Sequence, residues 1–373
     1  MTTASSPSSS TLRDVAYPAL DGLRAYAALL VFLVHLLGAL LTEYYRVPEA
    51  QISALSPVPG IAFMTFLADG QHGVDIFFVI SGFLMSRIAH PGLGWWRFVS
   101  RRWLRIYPAF LASLVVATAL FCTLYDWPFR WRDFMLNLVF YNAWPGHGII
   151  AYNHVTWTLG YEFVFYLAVP FLAFSQARSF RILFTGMLLV GLWIWLPYPL
   201  VRIVGLLAGF LLGCVPDQRL RETASRVPVM AVLCAYCALV VAKSFLPLSF
   251  QVFYPLLLPL LLLGITCIVF GNNLLTRFFA SGPLRQLGAL SYSIYLFHPM
   301  VISLVIYEGL QWTGMRDNEV FSVAFVCISS TVITVLVAMV SYRLFEAPYF
   351  KKQRSRREQA NRPAAPSVPA PIP

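Results

Sequence analysis

An arginine and a histidine, Arg24 and His35, stand eleven residues apart in the apolar stretch LDGLRAYAALLVFLVHLL. Ionisable side chains are costly to hold at membrane depth, so a residue of this kind in an apolar helix marks function there. At ~100° per residue the spacing returns to within about 20° of the same face, with a rise of ~16 Å. Both side chains can therefore point into one bundle interior, Arg24 near the membrane surface and His35 deeper. A neutral imidazole, with an ordinary pKa near 6.5, takes a proton from an attacking hydroxyl or acts as a nucleophile itself. A guanidinium binds phosphate or a carbonyl.

Other polar residues interrupt apolar runs in the same way. The stretch DGQHGVDIFFVISGFLMSR places Asp75 just inside the membrane and Ser81-Gly82 in mid-helix. The small pair reads as a packing seam or as part of a site, whereas a buried carboxylate such as Asp75 needs a cation or a hydrogen-bond network. In WWRFVSRRWLRIYPAF, Arg97, Arg101, Arg102 and Arg105 share a short loop with a belt of tryptophans, the composition of a topology anchor. Arg102 and Arg105, one helical turn apart before a span, also suit a phosphate-bearing ligand, with Arg101 and Ser81 as further candidates for binding it. Glu162 lies among aromatics in HVTWTLGYEFVFYLAVPFL, either as an interhelical tie or as a site residue. His298 precedes Pro299, which frees a backbone carbonyl for a polar neighbour, so the pair reads as a kink or as a catalytic element. Asp21, Tyr292, Ser293 and Glu346 complete the candidate set. A carboxylate, Asp75 or Glu162, is the expected orienting partner of His35.

The elements that hold these residues are membrane helices. The chain is 59% hydrophobic and 12% charged, with a mean hydropathy of +0.70, far from the roughly 25% charged residues of soluble domains. Ten segments have the length and apolarity of a span: 20–41, 73–90, 107–125, 156–174, 182–197, 200–215, 229–246, 252–270, 290–308 and 321–342. The fifth and sixth are short and close enough to form a re-entrant pair. An all-α polytopic bundle of about ten transmembrane helices is expected over 18–350, with a disordered N-terminus (1–17) and a basic, Pro/Ala-rich tail (351–373). Most of the 27 Lys and Arg fall on one side of this arrangement, which puts both termini in the cytoplasm. The net charge of +11 is then a topology signal, and without a nucleic-acid motif it argues against a nucleic-acid partner. The polar N-terminus lacks the features of a cleaved secretory signal. All six cysteines fall within the expected spans, and Cys234-x-x-Cys237 sits on an apolar helix without nearby ligands, so neither a disulfide framework nor a metal site is expected.

Taken in order, LDGLRAYAALLVFLVH, GVDIFFVISGF, RRWLRIYP, WTLGYEFVFY, SYSIYLFHP and FEAPYF resemble the membrane acyltransferase-3 family over nearly the whole chain, from about residue 18 to 350. The resemblance implies an enzyme of the bacterial inner membrane that moves an acyl group, often acetyl, from cytosolic acyl-CoA such as acetyl-CoA to a carbohydrate or glycoconjugate acceptor. It implies that His35 is the catalytic histidine with Arg24 as its partner, and that Arg102 and Arg105 are the arginine pair of the first cytoplasmic loop. Some members of the family append an extracytoplasmic hydrolase-like domain, for which this sequence has no segment, so a separate extracytoplasmic transferase partner stays open. The competing reading is a proton-coupled transporter using the same His, Asp, Glu and Arg as a relay. Such carriers often show inverted repeats, and no internal repeat is evident here. A non-catalytic scaffold for polysaccharide assembly would leave Arg102 and Arg105 without a task.

Overall fold

Backbone in hydrocarbon must satisfy its own N–H and C=O groups, and helices do so within one segment. A computed structural model describes residues 17–48, 72–89, 92, 94–146, 148–173, 177–196, 200–246, 248–314 and 316–360. The expected segments all fall on helices, and among the described residues there is no strand. Residues 1–16 and 361–373, which hold most of the expected disordered termini, lie outside the described residues.

The order is α1 (Pro18–Ala39), α2 (His72–Ile88), α3 (Trp95–Leu124), α4 (Trp131–Leu138), α5 (Trp157–Leu172), α6 (Arg178–Trp195), α7 (Ile203–Cys214), α8 (Asp217–Arg226), α9 (Val229–Phe245), α10 (Phe250–Phe270), α11 (Leu274–Phe279), α12 (Gly282–Leu304), α13 (Leu310–Thr313), α14 (Glu319–Ser341) and α15 (Ala347–Ala360). Helices α1, α12 and α14 each run on into a π-helical turn, Leu40–Tyr44, Val305–Gly309 and Tyr342–Glu346. Among the described residues seven helices are long and apolar enough to cross a membrane, or up to eight if the α7–α8 pair, bent by 102°, is one span. The count from sequence is ten. The difference from eight lies in α2 and α9, each of 17 residues, or roughly 25 Å at 1.5 Å per residue against a hydrocarbon core of about 30 Å.

Close approach of backbones sets the centre of the bundle. A Cβ on Gly82 of α2 would stand 2.0 Å from the Leu206 carbonyl oxygen of α7, so only glycine permits this crossing. Gly288 of α12 is held as tightly, with a Cβ there 2.0 Å from the carbonyl oxygen of Asp21 on α1. Helix α6, by contrast, fully buries only Thr185 and presents Leu183, Met187 and Trp195 outward, as a lipid-facing helix does. The fifth and sixth segments are therefore a peripheral helix and a central one.

Helices α4, α8, α11, α13 and α15 have no counterpart among the expected spans. Helix α8 is polar, buries Leu220 and Ala224, and binds the end of α2 through an Asp217–Arg87 ion pair of 2.7 Å. Tyr17 donates to the same Asp217 at 3.2 Å. Helices α4 and α11 are shorter still. Residues 351–360, expected to begin a disordered tail, continue instead as α15; Lys, Arg, Gln, Glu and Ala are all good helix formers.

Candidate active site

A cavity of about 380 Å³ opens among α1, α2, α3, α5 and α12. Four guanidinium groups line it: Arg24 from α1, Arg102 and Arg105 from consecutive turns of α3, and Arg285 from the first turn of α12. Asp21, Glu162 and Glu346 face the same space. Arg102, Arg105, Glu162 and Glu346 are each held by a neighbour. Arg102 lies 5.5 Å over the ring of Phe98, and Arg105 lies 5.5 Å over that of Phe350. Tyr166 donates to Glu162 Oε2 at 3.2 Å and is 3.2 Å from Ser81 Oγ. The π-helical turn after α14 brings Glu346 inward, where it is 4% exposed and accepts from Ser293 Oγ at 2.7 Å. Tyr292 donates to the Ile106 carbonyl of α3 at 2.8 Å. Four cations thus face three carboxylates, and the forked guanidinium donors have the geometry that suits an anionic group such as a phosphate.

His35 is further along α1, about 16 Å from Arg24 at the helical rise, and does not line this cavity. Its Nδ1 is 2.9 Å from the Val31 carbonyl oxygen and 3.0 Å from Nε2 of His298. Nδ1 of His298 is 3.1 Å from the Ile294 carbonyl oxygen. A carbonyl only accepts, so each ring carries its hydrogen on Nδ1. His298 Nε2 is then an acceptor, and His35 Nε2 is left with its lone pair. A third imidazole, His154, has its ring centre 5.3 Å from that of His35. Tyr295 joins the two levels: it lines the cavity, its ring centre is 6.1 Å from that of His298, and its hydroxyl is 2.7 Å from Thr158 Oγ1. Among the described residues no group of three or more His, Cys, Asp or Glu is arranged to hold a metal.

The structure thus gathers Asp21, Arg24, Ser81, Arg102, Arg105, Glu162, Tyr292 and Glu346 around one cavity. Ser293 stands behind Glu346, hydrogen-bonded also with Ser341 at 2.8 Å. His298 is a direct neighbour of His35. Two expectations are corrected. Asp75, fully buried, faces His72 Nδ1 at 3.3 Å and Arg202 at 3.9 Å, away from both His35 and the cavity, because α2 turns that face toward Arg202 at the entry to α7. The hydrogen bonds of Glu162 likewise go to Tyr166 and not to His35, so the imidazole of His298 stands where a carboxylate was expected. Arg101 is exposed, its position one residue before Arg102 turning it about 100° off the cavity face.

Sequence reasoning missed Arg285, Tyr166, Tyr295 and Thr158. Arg285 carried a signal, since it lies seven residues before Tyr292 and so two turns below it on one face of α12. As a charge at the foot of a span, it also has the placement of a topology anchor.

A family model described as "Acyltransferase domain" matches residues 17–342. Acyltransferase MdmB of Streptomyces mycarofaciens is 31% identical over 164 residues, which are 42% of this chain and 39% of MdmB. Exopolysaccharide production protein ExoZ of Rhizobium meliloti is 29% identical over 313 residues, 78% of this chain and 93% of ExoZ. A Staphylococcus aureus protein named as an O-acetyltransferase is 25% identical over 382 residues, 90% of this chain and 57% of that protein. The chain therefore spans well under two thirds of the first and third of these relatives. No solved structure matches.

Proposed function

The chain belongs to the acyltransferase domain family and is an integral-membrane acyltransferase, and from that premise we propose that it transfers an acyl group, acetyl in the first instance, from acyl-CoA to a hydroxyl of a carbohydrate or glycoconjugate. The observation that carries this reading is the pairing, on one helix, of an arginine-lined cavity with an imidazole whose Nε2 is open. Arg24, Arg102, Arg105 and Arg285 would hold the donor's phosphates at the cytoplasmic mouth. The pantetheine arm would run along α1 toward His35, a rise of about 16 Å.

At His35 the acceptor O–H bond breaks as its proton passes to Nε2, and the oxygen attacks the thioester carbonyl carbon. The tetrahedral intermediate collapses with loss of the C–S bond. The departing thiolate recovers the proton from Nε2, so the products are the ester and free CoA and the enzyme is unchanged. A saccharide acceptor is supported by the name of ExoZ, which ties that relative to exopolysaccharide production. Acetyl is supported by the O-acetyltransferase name of the staphylococcal relative. The inner membrane as location, the cytoplasmic placement of both termini and the separate extracytoplasmic partner belong to the same proposal.

The test is His35→Ala in the purified full chain, reconstituted in lipid and given acetyl-CoA with polysaccharide from cells that lack the protein. Acetyl ester formation should fall to background while the yield of folded protein holds. Transfer within about tenfold of the parent, ~1.4 kcal/mol in barrier, would remove His35 from the chemistry.

A further inference from the structure

We propose that His298 is a positioning residue for His35, accepting its Nδ1–H and sharing the charge that arises when His35 Nε2 takes the acceptor proton. The inference rests on the reading of His35 given above and adds the group that makes it work.

Four observations carry it. First, His298 Nε2 is 3.0 Å from His35 Nδ1, and because a carbonyl that only accepts places each ring's hydrogen on Nδ1, the single Nδ1–H of His35 is shared between the Val31 oxygen at 2.9 Å and His298 Nε2. Second, His298 is completely buried, and its ring is enclosed by those of Phe32 at 6.2 Å and Tyr295 at 6.1 Å. A polar ring in such surroundings keeps its bonds because water cannot replace them. Third, Pro299 has no N–H, which removes a helical partner from the Tyr295 carbonyl on the turn that carries His298. His298 Nδ1 therefore stands over a backbone stretch rich in acceptor capacity, and its Nε2 is turned toward His35. Fourth, the carboxylates expected beside His35 are engaged elsewhere, Asp75 with His72 and Arg202 and Glu162 with Tyr166.

A carboxylate partner would place a full charge beside the imidazole. A neutral imidazole supplies an acceptor without one. When His35 becomes imidazolium, its Nδ1–H bond to His298 turns charge-assisted and strengthens, so the contact favours the protonated state reached during transfer more than the resting state. That difference acts on kcat, not on the binding of the donor. Two imidazoles so close do not both carry charge, and the pair handles one proton.

Three substitutions at position 298, made in the full chain in lipid, separate this role from packing. In His298→Gln the amide oxygen reaches the place of Nε2 and can accept from His35. In His298→Asn the amide reaches only the place of Nδ1, and His298→Phe keeps the ring without any acceptor. With acetyl-CoA and polysaccharide from cells that lack the protein, Gln should stay near the parent. Asn and Phe should lose about 10- to 100-fold in kcat, the worth of one hydrogen bond to a charged group, with KM for acetyl-CoA unchanged. Phe at the parent rate, or Gln as slow as Asn, overturns the proposal in favour of packing. Where Phe fails to fold, the Gln and Asn pair still decides. His35→Ala, run alongside, separates the two failures: activity in that variant defeats the reading of His35 itself, whereas an inactive His35→Ala beside a fully active His298→Asn defeats only the role of His298.

Discussion

Removing Arg105 should weaken the donor and leave the acceptor untouched. Arg105 follows Arg102 by one turn on α3, lines the cavity, and feels the charges of Glu162 and Glu346 across it. A hydrogen bond to a charged group contributes about 1.5–3 kcal/mol. Arg24, Arg102 and Arg285 remain to hold a diphosphate when Arg105 is gone, so the lower figure applies, and Arg105→Ala should cost about tenfold in kcat/KM for acetyl-CoA. Arg105→Lys keeps the charge but not the fork, and a loss of about threefold is expected for a point charge in place of a bidentate donor. The decisive assay compares acetyl-CoA with an acetyl thioester of pantetheine, which bears the same acyl group and arm but no nucleotide. The variant should be impaired with acetyl-CoA and equal to the parent with the truncated donor. An equal fall with both donors, or a fall in kcat/KM for the saccharide at saturating acetyl-CoA, refutes the assignment and returns Arg105 to the task of anchoring α3 at the membrane surface.

Asp75→Asn should lower thermal stability in detergent by on the order of 3 kcal/mol, because it removes the charge facing buried Arg202 and His72; lost transfer at unchanged stability would instead bring Asp75 back into the chemistry. Reporter fusions after Arg13 and after Arg357 should both give cytoplasmic signals, and an extracytoplasmic signal from either one defeats the proposed orientation. Gly288→Leu should destabilise the chain by about 1–3 kcal/mol through overpacking, since even a Cβ there meets the Asp21 carbonyl at 2.0 Å; a melting temperature equal to the parent's would show that α1 and α12 separate freely.

Much of this site was legible because its parts recur at helical spacing on single segments. Arg102 and Arg105 needed only the knowledge that one turn separates them, and Arg24 and His35 only three turns of an apolar helix. The register between helices was not legible. His35 and His298 lie 263 residues apart, and the bond between them depends on how α12 is rotated against α1. Asp75 failed for the same reason: a buried carboxylate demands a cation, but composition does not say that Arg202, at the entry to α7, is the one supplied. The short helices α4, α8 and α11 were unreadable on different grounds. They are too short or too polar to give a span signal, and their ends are set by tertiary contacts such as the Arg87–Asp217 pair.

Helices α1 and α12 together explain why the arginine-lined cavity and the histidine pair occur at two levels of one bundle. Gly288, early in α12, presses on the backbone of Asp21, early in α1, and further along both helices His298 meets His35. The two helices therefore run parallel. Beyond the histidines, Leu36 and Leu40 of the first helix and its π-helical turn pack with Val301, Ile302 and Val305 in one apolar cluster, which holds the crossing closed at its far end. Along this crossing α12 carries Arg285, Tyr292 and Tyr295 on the cavity and His298 one turn beyond Tyr295, while α1 carries Arg24 on the cavity and His35 about 16 Å beyond it. A displacement of either helix by one turn would move its arginine and its histidine together, breaking the arginine-lined cavity and the imidazole contact at once. The absent side chain at Gly288 is thus a condition of the chemistry, since the 3.0 Å contact between the two rings exists only if the backbones approach this closely.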